Sequence, residues 1–225
     1  MIHSHQTSLE IVGCVSKSVT KAADQLFGDR SLHPLLVCLG GVYALEHFKI
    51  SSRCLYGQAQ WIEILENEKP IWAGSSPQRP HFWLQSQFGE TIDFNISVSH
   101  RLNSPSGPKE KSKYSPPMLW SLEIPQFYEY HVEGIAEINP EDHKLLKQLD
   151  RLKRRIEIAI SEYEKSKLIE FPNEPLLGPE RKLLDSTQKE FQHFDRALSI
   201  HGFPEKLSLS ISTTCDDHSQ FSPPP

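Results

Sequence analysis

Hydrophobic and polar positions change rhythm several times along the chain, and each change marks an element. Leu9, Val12, Val15, Val19, Ala22, Ala23 and Leu26 recur at helical spacing, with Gly28 where a C-cap glycine belongs. After His33-Pro34 the run from Leu35 to Phe48 is apolar nearly all round, which predicts a buried central helix opened by proline. Gly40-Gly41 inside it costs about 1 kcal/mol of helix propensity at each glycine relative to Ala, so a backbone or ligand is expected to approach closely there. Residues 52–65 are rich in strand formers and read as one long strand. From His81 the rhythm is period two. Phe82 and Leu84 alternate with His81, Trp83 and Gln85, and Ile92, Phe94, Ile96 and Val98 alternate with Asp93, Asn95, Ser97 and Ser99. With Phe88-Gly89-Glu90 as the turn, this predicts a β-hairpin that carries His81 and Asp93 together on the side away from the apolar set.

Residues 118–120 and 125–138 restore strand-like and aromatic character, after a polar, proline-rich stretch over 103–117 that reads as a surface loop. Asn139-Pro-Glu-Asp is a helix start, with Asn as N-cap, and Leu145, Leu149, Leu152, Ile156, Ala159 and Tyr163 step by threes and fours behind it. Residues 171–179 break the pattern, and Leu184, Phe191, Phe194 and Leu198 mark a further helix ending near His201-Gly202. The expected architecture is α+β. An antiparallel sheet packs on a buried central helix over 1–138, a C-terminal helical hairpin that docks on the core or on a partner covers 139–205, and a disordered tail covers 206–225.

Composition narrows the classes. At 225 residues and 37% hydrophobic content the chain can bury a substantial core. No apolar run approaches the roughly 20 residues a membrane span needs. Met1-Ile-His-Ser-His lacks the layout of a signal peptide, so no membrane association and a cytoplasmic location are expected. A net charge of −5 makes nucleic acid an unlikely partner, and the basic residues between Lys144 and Arg155 are expected to form the solvated face of a helix. Cys14, Cys38, Cys54 and Cys215 form no CxxC, so reduced thiols, no metal site and no cofactor are expected.

Chemistry is sought where a thiol near a helix start could meet an imidazole held by a carboxylate. Cys38 is the cysteine on the expected central helix, and a small buried hydrophobe is its alternative reading. The layout of a helix, Ile50-Ser-Ser-Arg53 leading into a strand, His81-Phe-Trp83, and Gly89-Glu-Thr-Ile-Asp93-Phe94 resembles the transglutaminase-like superfamily of papain-fold cysteine enzymes over residues 29–98. The resemblance implies that His81 is the catalytic histidine and Asp93 its orienting acid. The family's cysteine position falls near His33-Pro34, about one turn before Cys38. The implied activity is hydrolysis or acyl transfer on a peptide, amide or ester through Cys38, His81 and Asp93. Gln58 and Gln60 share a strand face beside the expected site, where an amide N–H would help hold an oxyanion; Trp61 and Trp83 would wall the substrate groove. The alternative function is an inactive member of the fold that serves as a protein-interaction module.

Overall fold

The computed structural model describes residues 6–76, 78–101, 112–166, 171–172, 174–178 and 188–204. The tail expected from 206 onward, and most of the loop expected over 103–117, lie outside these residues. The chain folds as a mixed α/β structure with a helical layer against a curled, mixed sheet that forms a half-barrel.

α1 (Leu9–Phe27) buries Val12, Val15, Val19, Ala22 and Ala23 and ends at Gly28, whose φ of 76° lets its N–H turn back to the Asp24 carbonyl. α2 (Pro34–His47) starts on proline at its first turn. It lies against α1, against α3 (His143–Ser166) and against the sheet, which explains the two glycines in its middle. A Cβ on Gly40 would come within 2.9 Å of Leu152 Cδ2, from α3, and one on Gly41 within 2.7 Å of Leu84 Cδ1 and Phe94 Cε2, from the sheet side. The close approach is therefore by side chains of two opposed layers.

β1 (Ser52–Leu65) is the spine of the sheet. One of its edges carries β3 (His81–Ser86) and then β2 (Pro70–Gly74). The other carries β7 (Tyr128–Ile135) and then β5 (Ser112–Tyr114). From β3 the sheet continues through β4 (Thr91–Asp93), β6 (Met118–Ser121) and β8 (Leu176–Leu177). The sheet departs from the all-antiparallel expectation at β6 and β8, which run parallel.

The hairpin's second strand is shorter than its alternation predicts, because β4 stops at Asp93 and a 3-10 helix occupies Ile96–Arg101. The Asp93 carboxylate accepts the N–H groups of Asn95 and Ile96, so a side chain takes the donors that a continuing strand would have used. Helix α3 likewise begins later than Asn139 suggests. Asp142 caps it by accepting the Leu145 N–H, while Asn139 closes a local turn with the Glu141 N–H.

α3 and α4 (Gln188–His201) do not form the expected appended hairpin. Leu149, Leu152, Ile156 and Ile160 of α3 belong to the main core with α1 and α2, whereas Phe194, Ala197 and Leu198 of α4 pack on Ile62, Ile64 and Trp72 at the far end of the sheet. Each helix's apolar stripe meets a different cluster. No helix among the described residues is long and apolar enough to cross a membrane.

Candidate functional site

Period-two geometry sorts the site residues before any side-chain contact is considered. Cys54 pairs with Leu84, and both join the core cluster that includes α2. His81 is three residues away from Leu84 on the same strand, so its side chain points to the other face. Leu84 pairs with Ile92, another member of that core, which puts Asp93 on the His81 face as well. Ala59, Trp61, Leu119 and Tyr128 form a second cluster on this far face.

His81 and Asp93 meet there. His81 Nε2 lies 2.6 Å from Asp93 Oδ2, and both residues are buried. A carboxylate only accepts, so Nε2 donates the hydrogen in this bond, and no described residue hydrogen-bonds Nδ1. The same Oδ2 accepts from the Tyr130 hydroxyl at 2.9 Å, and Oδ1 accepts the backbone N–H groups of Asn95 at 2.9 Å and Ile96 at 3.0 Å. Asp93 thus has four donors and no exposure. Burial, followed by the Asp93 charge, holds the Tyr130 phenol well above its ordinary range, so it stays a donor. The His81 ring is enclosed by Trp61, Trp83 and Tyr130 at centroid distances of 5.5, 6.3 and 6.3 Å.

Cys38 is elsewhere. Its side chain is fully buried on the helical side, beside the Cys54 thiol, and the Asn95 amide Nδ2 donates to its sulfur at 3.8 Å and to the Pro34 carbonyl at 3.3 Å. Burial first, then the Cys54 thiol and the Asp93 charge, push its pKa well above the ordinary thiol range. No hydrogen bond joins it to His81 among the described residues. His33 stacks on Phe27 at 4.2 Å and makes no side-chain cap bond to the helix.

Gln58 and Gln60 alternate with Trp61 on β1, so they face away from His81 rather than toward an oxyanion there. Gln58 donates to Glu133 at 3.1 Å, and Gln60 is buried. Trp61 and Trp83 do reach the imidazole, as its walls. Tyr130, Asn95 and Glu63 are the residues that the sequence reading missed. A signal for the first existed in the Tyr128 and Tyr130 spacing, which puts two phenols on one strand face.

Glu63 lies on the Trp61 side of β1, 5% exposed, and accepts from Trp61 Nε1 at 2.7 Å and from the Ser112 hydroxyl. Burial raises its pKa against those two bonds. The fold therefore favours the protonated form. This stabilisation is complete below the unfolded Glu value of about 4.3 and is lost as pH rises through the higher folded value. Glu63→Gln is expected to match the native protein at acid pH and to exceed it in stability at neutral pH. Urea unfolding at both pH values measures this, and an equal offset at the two would contradict it.

Among the described residues no group of three or more His, Cys, Asp or Glu is arranged to hold a metal ion. No protein-family model and no curated protein matches the chain. One solved structure, the crystal structure of the genomics target APC5867, is similar to it with a TM-score of 0.40 and 12% identity, over 69% of this chain and 79% of that one. A likeness at that level carries no argument about function.

Proposed function

We propose that this chain is a transglutaminase-like, papain-fold protein that has kept the His81–Asp93 pair without acyl-enzyme chemistry, and that it works as a binding or scaffold module. One observation carries the reading: Cys38 is fully buried with its pKa pushed up, and no hydrogen bond joins it to His81 among the described residues. A thiol attacks as the thiolate, and the imidazole that would take its proton has to be in hydrogen-bond reach. Cys38 has neither a lowered pKa nor that partner. The His81–Asp93–Tyr130 network is nonetheless complete, which supports a role for its open Nδ1 in accepting a hydrogen bond from a bound group.

A second reading, a cysteine hydrolase or acyltransferase on an amide or ester, is favoured by the Asn95 amide, which joins the Cys38 sulfur to the segment immediately after Asp93. On it Cys38 attacks the carbonyl, His81 acts as base and then as acid, and Asp93 fixes the tautomer. Thiol labelling separates the two. With iodoacetamide near neutral pH, peptide mapping is expected to show Cys38 unmodified in the folded protein and fully modified in concentrated guanidinium. Rapid labelling of folded Cys38 that disappears in His81→Ala would establish the enzyme reading instead.

A further inference from the structure

The exposed face of α3 carries a charge pattern that neither the fold nor the His81 site uses. Leu149, Leu152, Ile156 and Ile160 bury one side of the helix. At 3.6 residues per turn, Lys144, Lys147, Arg151, Arg154 and Arg155 fall within an arc of about 100° on the opposite side. All five are exposed. Among the described residues none of Lys144, Lys147, Arg151 and Arg154 forms an ion pair, and Arg155 reaches only the Gln25 side-chain oxygen, at 3.5 Å. Asp150 and Glu157 flank the arc, and Glu162, further down the same face, is taken by Lys21 at 3.3 Å.

This distribution does not serve the helix. Cations fill its first half and acids gather in its second, Glu157, Glu162 and Glu164 among them, whereas the macrodipole favours the reverse order. Nor does it serve packing, since the opposite face does that. Lys144 to Arg155 spans about 16 Å along the helix at about 1.5 Å per residue. A duplex strand presents one phosphate per about 3.4 Å of its axis, so about five phosphates fall in that length, matching five cations. A membrane-lying helix would need an apolar binding face, and the only large apolar side chain in this arc is Ile158.

We propose that this face of α3 binds the phosphate backbone of a nucleic-acid duplex without reading its sequence. The chain's net charge of −5 opposes the approach as a whole, so binding is local to the stripe and weak. Fluorescence anisotropy of a labelled mixed-sequence DNA duplex, titrated with the full chain at low salt, is expected to give a Kd in the micromolar range, with a slope of log K against log salt of about −4. Lys147→Glu/Arg151→Glu/Arg154→Glu is expected to weaken binding at least about tenfold and to bring the slope to about −2 or shallower. Arg151→Glu alone, a single exposed change that leaves the buried face intact, is expected to weaken it by about threefold, at the scale of one lost phosphate contact. The proposal is overturned by no anisotropy change at low salt, by a salt-independent signal, or by either variant binding like the native chain. Co-sedimentation with phosphatidylserine vesicles in the absence of duplex binding also overturns it, and would reassign the stripe to an anionic membrane surface.

Discussion

Replacing Arg30 by Ala is expected to destabilise the fold by about 3 kcal/mol, toward the low end for breaking a buried ion pair. The side chain has no exposure, yet it carries a permanent charge. Its Nη1 donates to Asp24 at 2.6 Å and to Glu174 at 2.9 Å, and its Nε and Nη2 lie 3.4 Å from the Phe94 carbonyl and the Ser97 hydroxyl. One guanidinium therefore ties α1, the turn after β4 and the segment entering β8. Removal leaves two carboxylates facing a void, but their side chains are 38% and 26% exposed and can turn to water, which limits the cost. Arg30→Lys keeps the charge without the planar fork and is expected to fall between the native protein and Arg30→Ala. Urea unfolding with an unchanged m-value would measure both. A loss below about 1 kcal/mol for Arg30→Ala, the size of an ordinary surface effect, would mean that the three segments are held by packing alone.

Nothing in the sequence singles out Arg30. It sits in a short polar stretch, and its burial depends on three segments that are distant along the chain. What could be read was local and periodic. The α1 stripe and its Gly28 cap, proline opening α2, the extent of β1 and the placing of His81 and Asp93 on one strand face all follow from spacing. Failures came where a side chain competed with a backbone pattern. Asp93 ended β4 by capping Asn95 and Ile96, although Phe94, Ile96 and Val98 continue the strand rhythm and are all buried. Two amphipathic helices in sequence suggested a hairpin, but periodicity shows only that each has an apolar face, not which surface meets it.

The Cys38 placement has the same origin. Alternation sends His81 to the face opposite Leu84, and an all-apolar helix belongs in the core, so neither premise requires the thiol to meet the imidazole. The resemblance to a family with a cysteine on that helix pulled the other way. Gln58 and Gln60 share a face of β1, the one opposite Trp61.

The buried polar network around His81 is expected to be anchored at its acid. Asp93→Ala should destabilise the protein by about 4 kcal/mol, because it strands four donors, two of them backbone N–H groups, in a buried site. His81→Ala should cost only about half as much, since Asp93 keeps its other three donors and part of the loss is ring packing against Trp61 and Trp83. Residues in one network are not additive, and the double variant is expected to fall short of the sum by about 1–3 kcal/mol. Denaturant unfolding of the four proteins completes the cycle. A larger loss for His81→Ala than for Asp93→Ala would invert the hierarchy and make the imidazole the structural member. The expected order has a functional meaning. Asp93 holds the chain reversal, the reversal holds Asp93, and His81 is fixed through one nitrogen while no described residue hydrogen-bonds the other. On the proposed binding reading, a rigidly oriented group that contributes less to folding than its partner is the one a bound group would engage.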